Sequence, residues 1–246
     1  YYSVSFRGLP EARNFGLQMA RYDAIVYTDD DVRCEPNLVS EHLAALQTPG
    51  VGAVAGGIVE PSRGEDNDRP TGKFHRWKAE PLTGFSAHGI QPADHVKGCN
   101  FSVWRAAARA AGGFDQTLNF GAALYEDLDF ALRIQEAGYK VIFDGEARLT
   151  HLVAPSGGCR VDQVGKYTRS LGHNRAIVIT RHLSWFEKPG AYAWLMRRVA
   201  AYAYHYKQPA VIKEGWNGLL LGRAAGKKPP VCAVFGDDVI REKLGG

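Results

Sequence analysis

The stretch Ala24-Ile25-Val26-Tyr27-Thr28-Asp29-Asp30-Asp31 decides how the rest of the chain is read. A short apolar run stops abruptly in three carboxylates, which reads as a buried strand with acids at its C-terminal end. Adjacent carboxylates repel one another, so a fold that gathers three needs a reason. A divalent cation is a natural one, because Mg²⁺ and Mn²⁺ take oxygen ligands and bridge carboxylates to substrate phosphates. Ligands of open α/β sheets bind outside the carboxyl ends of strands, where this triplet falls. Taken alone, the triplet fits equally well with a solvated acidic turn capping the helix that Pro36 opens.

On either side of this stretch, short β-rich runs alternate with helical patterns, the signature of an α/β domain with a largely parallel sheet. A helix is predicted over Glu11 to Arg21, with Pro10 near its start. A second follows Pro36, with Val39, Leu43 and Leu46 on one face. Val51 to Val59 reads as a Gly-rich strand, and residues 60–95 as a long polar loop. Val96 to Trp104 is a predicted strand, Arg105 to Ala111 a helix stopped by Gly112-Gly113, and Glu126 to Ala137 a helix closed by Gly138. Tyr139 to Phe143 is the next strand, and Ala147 to Thr150 leads into His151. After about Gly165 the pattern turns helical and basic, and the tail beyond Lys228 has no evident place. The expected division is a domain over 1–182 and a mainly helical extension over 183–246.

Three further features carry chemistry. Glu126-Asp127-Leu128-Asp129 opens a helix, where acids also suit the macrodipole. A carboxylate held within reach of a hydroxyl can act as general base, and Asp127 and Asp129 point different ways on a helix, so at most one faces a site. His151 ends a strand, and its imidazole can complete a site of carboxylates and phosphate. The Pro155-Ser156-Gly157-Gly158-Cys159-Arg160 turn after it offers N–H groups and a guanidinium fork for phosphate. In Gly98-Cys99-Asn100-Phe101-Ser102, with Trp104 beyond, Asn100 could bond a sugar and Trp104 could stack on one; Trp104 as plain core is the alternative.

Composition narrows the class. The 246 residues are 45% hydrophobic and 23% charged, with 30 Lys+Arg against 26 Asp+Glu for a net charge of +4. This is globular and too mildly basic to indicate nucleic acid. Four scattered cysteines without a CxxC pair argue against a zinc ribbon or a disulfide scaffold and make a reducing compartment the default. A Gly-rich basic phosphate loop, which a nucleotidyltransferase would ordinarily need, is not visible.

In order, these features resemble the inverting family 2 glycosyltransferases of GT-A fold. The resemblance rests on Gly8-Leu9-Pro10-Glu11-Ala12-Arg13-Asn14-Phe15-Gly16, on Thr28 to Val32 as an Asp-x-Asp segment, on Gly112-Gly113-Phe114-Asp115 and on Glu126-Asp127-Leu128-Asp129. It spans about Gly8 to His182. It implies a Rossmann-like, mixed and mainly parallel sheet flanked by helices, and Mg²⁺ or Mn²⁺ as cofactor. The implied reaction moves a sugar from a nucleotide-diphosphate donor to a hydroxyl of a glycan or lipid-linked acceptor, with inversion, in bacterial cell-envelope polysaccharide synthesis. Asp31 is implied as the most direct metal ligand, with Asp29 shared between metal and donor, Asp30 supporting, and His151 as an additional ligand. Arg13 and Asn14 belong to the implied donor set, Asp127 is the implied base, and Glu126 orients the substrates. Asn100 and Trp104 are assigned to the acceptor.

Family members ordinarily carry a strand–helix–strand segment ahead of the Ala-Arg-Asn stretch, and here only about one strand precedes Gly8. The expectation is a chain truncated at its N-terminus, with an exposed sheet edge open to self-association. A non-catalytic remnant that binds a glycan or partner protein is the alternative. Tyr192 to Tyr206 mixes aromatic and basic residues, so two roles stay open: a helix packed on the domain, or one lying on a membrane surface. Arg169, His173, Asn174 and Arg175 border the expected acceptor side. The expected location is the cytoplasm, with a peripheral place at the inner face of the membrane as an option.

Overall fold

The computed structural model describes residues 2–6, 8–61, 70–153, 163–232, 234–236, 238 and 240–243. The polar stretch 62–69 and the Ser-Gly-Gly turn within 154–162, Cys159 included, lie outside the described residues. Elements in chain order are β1 (Tyr2–Val4), α1 (Leu9–Met19), β2 (Ala24–Thr28), β3 (Val32–Cys34), α2 (Leu38–Leu46), β4 (Val51–Val59), β5 (Thr71–His75), β6 (Glu80–Thr83), β7 (Ile90–Pro92), β8 (Asn100–Trp104), α3 (Arg105–Ala110), α4 (Glu126–Glu136), β9 (Lys140–His151), α5 (Val164–His182), α6 (Lys188–His205), α7 (Ala210–Ala225) and β10 (Ile240–Lys243).

The main sheet runs β2-β8-β4-β9-β3, with β7 also on β9. It is mixed, and the flanking helices and helical C-terminal part are as read from the sequence. β2, β4 and β9 point the same way, but β8 lies reversed between β2 and β4, so β4–β9 is the only parallel pair among the described strands. β3 and β7 are short antiparallel additions to β9. The common direction of β2 and β9 puts the aspartate triplet and His151 at one edge of the sheet.

β4 is central because it can be: Val51, Ala53, Val54, Ala55 and Ile58 are all buried. Its register with β9 breaks between Gly56 and Gly57, where β9 bulges. A Cβ on Gly56 would collide with Asn100 and the Ala147 carbonyl. The gap is mended by the Asn100 amide, which donates to Gly57 O at 2.9 Å and Ala147 O at 2.8 Å. His42 bonds the Asn100 carbonyl oxygen at 2.9 Å and Ser102 Oγ at 3.0 Å, and burial pushes its imidazole down, toward the neutral form.

Two segments depart from expectation. Residues 60–95 are not one long loop, for they hold the β5–β6 hairpin and β7. Gly72, Pro81 and the single-turn 3-10 helix Arg76–Lys78 between the hairpin strands break the period-two pattern that would have announced them. The tail also has a place. β10 pairs with β1 across nearly the whole chain, and Phe235 packs against Phe6 and Phe15 at 4.7 and 5.9 Å.

α4 belongs to two apolar clusters. Phe130, Ala131 and Ile134 pack with the sheet core around Phe101, Phe114 and Phe143. Leu128 and Leu132 pack with α5, α6 and α7 through Leu171, Ile179, Leu195 and Leu219. α6 buries Ala191, Leu195, Val199 and Ala203, so its apolar face is spent on packing. Polar groups bind the clusters together. Asp129, fully buried, accepts from Arg133 Nε at 2.9 Å, Arg181 Nη1 at 2.6 Å and His182 Nε2 at 2.9 Å. Burial works against its charge, but Arg133, His182 and Arg181 outweigh it and hold the carboxyl well below the usual range. α5 and α7 touch backbone to backbone, for a Cβ on Gly218 would fall on the Arg169 carbonyl and one on Gly222 on that of His173.

Gly222→Val is therefore expected to cost about 2–3 kcal/mol, since a main-chain carbonyl cannot swing aside as a side chain can. Lys213→Val, at an exposed position of α7, stays within about 0.5 kcal/mol; urea denaturation measures both. Burial lowers His182, yet its bonds to Asp129 and Glu136 raise it above its ordinary value. Its contribution to stability is then complete below about pH 6.5 and lost as pH climbs through the folded value. The stability gap between wild type and His182→Gln should be wider at pH 5.5 than at pH 9 by urea denaturation.

Candidate active site

The site begins with main-chain pairing. After β2 the chain turns through Asp29, Asp30 and Asp31 and enters β3, whose Val32 pairs with His151 at the end of β9. Leu152 N donates to Asp31 O at 2.8 Å, which fixes the two side chains next to each other. Asp31 Oδ1 lies 3.2 Å from His151 Nε2. Asp29, Asp31 and His151 each offer a ligand atom within 4.8 Å of the others. Asp30 is exposed and outside this group. Burial, with Asp31 and Asp30 adding to it, pushes the Asp29 carboxyl up against the opposing pull of Arg13 and His151. Two carboxylates and an imidazole in such proximity suit a hard divalent cation such as Mg²⁺ or Mn²⁺, whose charge would relieve the repulsion.

Behind this corner stands Glu60, 3.5 Å from His151 Nδ1 and 2.5 Å from Lys97 Nζ. Neither Glu60 nor Lys97 was legible as a site residue, because both fall in or beside the stretch read as loop. The next residue, Gly98, links two halves of the site. It packs against the Arg13 guanidinium so closely that a Cβ would overlap Nη2. Its N–H donates to Asp127 Oδ2 at 3.0 Å.

Arg13 and Glu126 form a buried ion pair at 2.9 Å, with Arg13 over the Phe101 and Phe114 rings. Burial and adjacent Asp127 push the Glu126 carboxyl up, and Arg13 opposes them. Tyr125, just before Glu126, has φ 68°, a left-handed conformation costly for a non-Gly residue and a mark of a held geometry. Asp127, half-buried, projects between these anchors, its other oxygen accepting from Leu128 N at 2.8 Å.

Two cavities flank the Gly98–Asp127 hydrogen bond. One, of about 350 Å³, is lined by Arg13, Tyr27, Thr28, Asp29 and Gly98 beside the outer edge of β2. The other, of about 260 Å³, is lined by Glu80, Tyr125, Asp127, Tyr167, Arg175 and Arg198. Asp127 lines the second and is hydrogen-bonded to Gly98 of the first.

Three expected site residues lie elsewhere. Asn14 is buried and clamps Phe114 through two 2.7 Å bonds to its main chain, lining neither cavity. The Asn100 amide is consumed by the β4–β9 bulge, which removes it from the acceptor set. Trp104 is core: it pairs with Ala24 at the far end of β2, packs with Leu46 and Val54, and donates to Leu46 O at 2.9 Å.

Residues 2–109 match the family model described as glycosyl transferase family 2, the family that the motifs resemble. Among curated relatives, the pre-mycofactocin glycosyltransferases of Mycobacterium tuberculosis strains CDC 1551 / Oshkosh and ATCC 25618 / H37Rv are each 27% identical over 148 residues, 59% of this chain and 30% of theirs. The chain thus spans less than a third of those relatives. Solved structures similar to it include GalNAc-T7 with UDP, GalNAc and Mn²⁺ (TM-score 0.49, 16% identity, 82% of this chain and 45% of that one). Another is the mannosyltransferase PcManGT from Pyrobaculum calidifontis in complex with GDP-Man and Mn²⁺ (TM-score 0.48, 18% identity, 90% of this chain and 66% of that one).

Titration calorimetry with Mn²⁺ is expected to show one site that Asp31→Ala or His151→Ala weakens about tenfold or more. Unchanged affinity in both variants would move the ligands elsewhere. Trp104→Phe should leave that affinity intact and cost about 1 kcal/mol of stability, because it strands the Leu46 carbonyl.

Proposed function

We propose that this chain, with a family 2 glycosyltransferase segment over residues 2–109, is the catalytic part of a metal-dependent glycosyltransferase that acts with inversion. The observation that carries the reading is the place of Asp127 between two cavities, one shared with Asp29 and Arg13, the other lined by aromatic and basic side chains. The first takes the nucleotide-diphosphate sugar, with Arg13, Asp29 and Asp30 on the donor side. The second takes the acceptor, a glycan or lipid-linked hydroxyl, against Tyr125, Tyr167 and Arg175.

Asp127 removes the proton from the acceptor hydroxyl as its oxygen attacks the anomeric carbon. The bond to the diphosphate breaks on the opposite face, and the nucleoside diphosphate leaves with the electron pair. Glu126 and Arg13 are positioning residues: their ion pair holds the start of α4 so that Asp127 lines the second cavity while bonded to Gly98 of the first. A Mg²⁺ or Mn²⁺ ion held by Asp29, Asp31 and His151 would offset negative charge on the diphosphate.

A second reading draws on β2, whose outer edge has no strand partner among the described residues. Such an edge suits a module that binds another chain without catalysis. Nucleoside diphosphate release, followed over UDP- and GDP-sugars with Mn²⁺ in the full-length protein, separates the two. Asp127→Asn is expected to lower turnover by about 10²–10⁴-fold and spare Mn²⁺-dependent nucleotide binding. Retained turnover removes Asp127 as base, and an absence of both binding and turnover in the wild type favours the binding module.

A further inference from the structure

The turn between α5 and α6 reverses the usual sorting of side chains. Trp185 is 84% exposed and Phe186 51%, and Trp77 beside them is 54% exposed. The three rings touch in series, Trp77 to Phe186 and Phe186 to Trp185, each at 5.9 Å between centroids. Glu187, next in the chain, is the residue turned inward. It accepts from Arg76 Nε at 2.6 Å, Arg76 Nη2 at 2.8 Å, Ser184 N at 2.8 Å and Ser184 Oγ at 2.5 Å. The single acid of the turn is thus removed from the surface, while its large apolar side chains are left in water. Monomers seldom expose such contiguous rings without a partner for them.

The cavity beside the rings carries charge of one sign. A cavity of about 310 Å³ beside Trp185 is lined by Thr180, Lys188, Pro189, Tyr192, Arg223 and Lys227, with three cations and no acid. Among the described residues, none of those three cations makes an ion pair. On α7, Ile212, Trp216 and Leu220 are all exposed and recur every four residues, so they share one side of the helix. Arg223 continues that stripe. At the other flank, Lys78 and Arg197 bracket the Trp194 ring at 4.6 and 4.5 Å.

We propose that this surface docks onto an anionic lipid bilayer. Trp77, Trp185 and Phe186 enter the boundary between headgroups and acyl chains, and Lys188, Arg223 and Lys227 meet lipid phosphates. Exposed aromatic rings flanked by unpaired cations are the chemistry of interfacial binding, where ring burial and charge attraction add. No described helix is long and apolar enough to cross a membrane, so the contact is peripheral. This assignment does not depend on the catalytic reading.

Co-sedimentation of the full chain with vesicles of phosphatidylcholine alone, and with about 30% phosphatidylglycerol, tests the proposal. Binding is expected to the anionic vesicles only and to fall as salt rises from 0.1 to 0.5 M. Each cation near an anionic surface is worth about a fivefold change in partitioning, so Lys188→Ala/Arg223→Ala/Lys227→Ala together should lower it by about a hundredfold. Trp185→Ser/Phe186→Ser should weaken it about tenfold or more. Circular dichroism checks that these variants stay folded. The proposal is overturned by failure to bind anionic vesicles, by equal binding to neutral ones, or by cation variants that bind as wild type. It is also overturned if 10 mM inorganic phosphate raises the thermal midpoint through the same three cations while the vesicles are ignored.

Discussion

Two buried carboxylates hold the first turn of α4, and the orientation of Asp127 depends on them. Glu126 reaches back to Arg13 on α1, and Asp129 reaches forward to Arg181 and His182 on α5. Successive helical residues are about 100° apart, so fixing positions 126 and 129 fixes where 127 points. Breaking a buried pair costs about 3–5 kcal/mol, a large share of a domain's net stability of about 5–15 kcal/mol. The acids that look interchangeable in sequence thus divide into two that hold the helix and one, Asp127, that lines the second cavity.

The corner formed by Asp29, Asp31 and His151 is set by main-chain pairing. β3 is only three residues long, yet its pairing with the end of β9 sets Asp31 beside His151 before any ion binds. Repulsion between Asp29 and Asp31 is the strain that this preorganisation stores, and it is the term a cation would remove. Gly98 connects the corner to α4 because it lacks a side chain: only a bare backbone fits between the Arg13 guanidinium and Asp127.

What was legible in the sequence follows from range. The aspartate triplet, His151 and the acidic start of α4 announce themselves locally, through adjacent charges at the ends of periodic elements. The α/β class, the main strands and the amphipathic helices are local too. The roles of Asn100 and Trp104 are not local. A polar amide in a strand reads as a ligand until the β4–β9 bulge that it fills is seen, and an indole reads as a stacking face until Leu46 is found against it. The β5–β6 hairpin lacked an alternating pattern, and the pairing of β1 with β10 joins the two ends of the chain. Glu60, Lys97 and Gly98 matter only through residues 29 or more positions away.

The C-terminal helices tie the second cavity to the exposed aromatic turn. Arg175 of α5 lines the cavity, is 1% exposed, and donates to the Lys78 carbonyl, one residue from Trp77. Trp194 of α6 donates to Glu80, another wall of the cavity, at 3.0 Å. Residues 77–80 therefore join the two: Glu80 lines the cavity beside Asp127, and Trp77 and Lys78 belong to the aromatic, basic surface. A segment shaped by stability alone would bury Trp185 and expose Glu187, since burying a large ring gains about 1.5–3 kcal/mol and burying a carboxylate costs unless it is paired. Here the opposite arrangement is built, and Arg76 and Ser184 are committed to making the buried acid tolerable. The fold gives up local burial to keep those rings outside, beside the cavity that Asp127 lines.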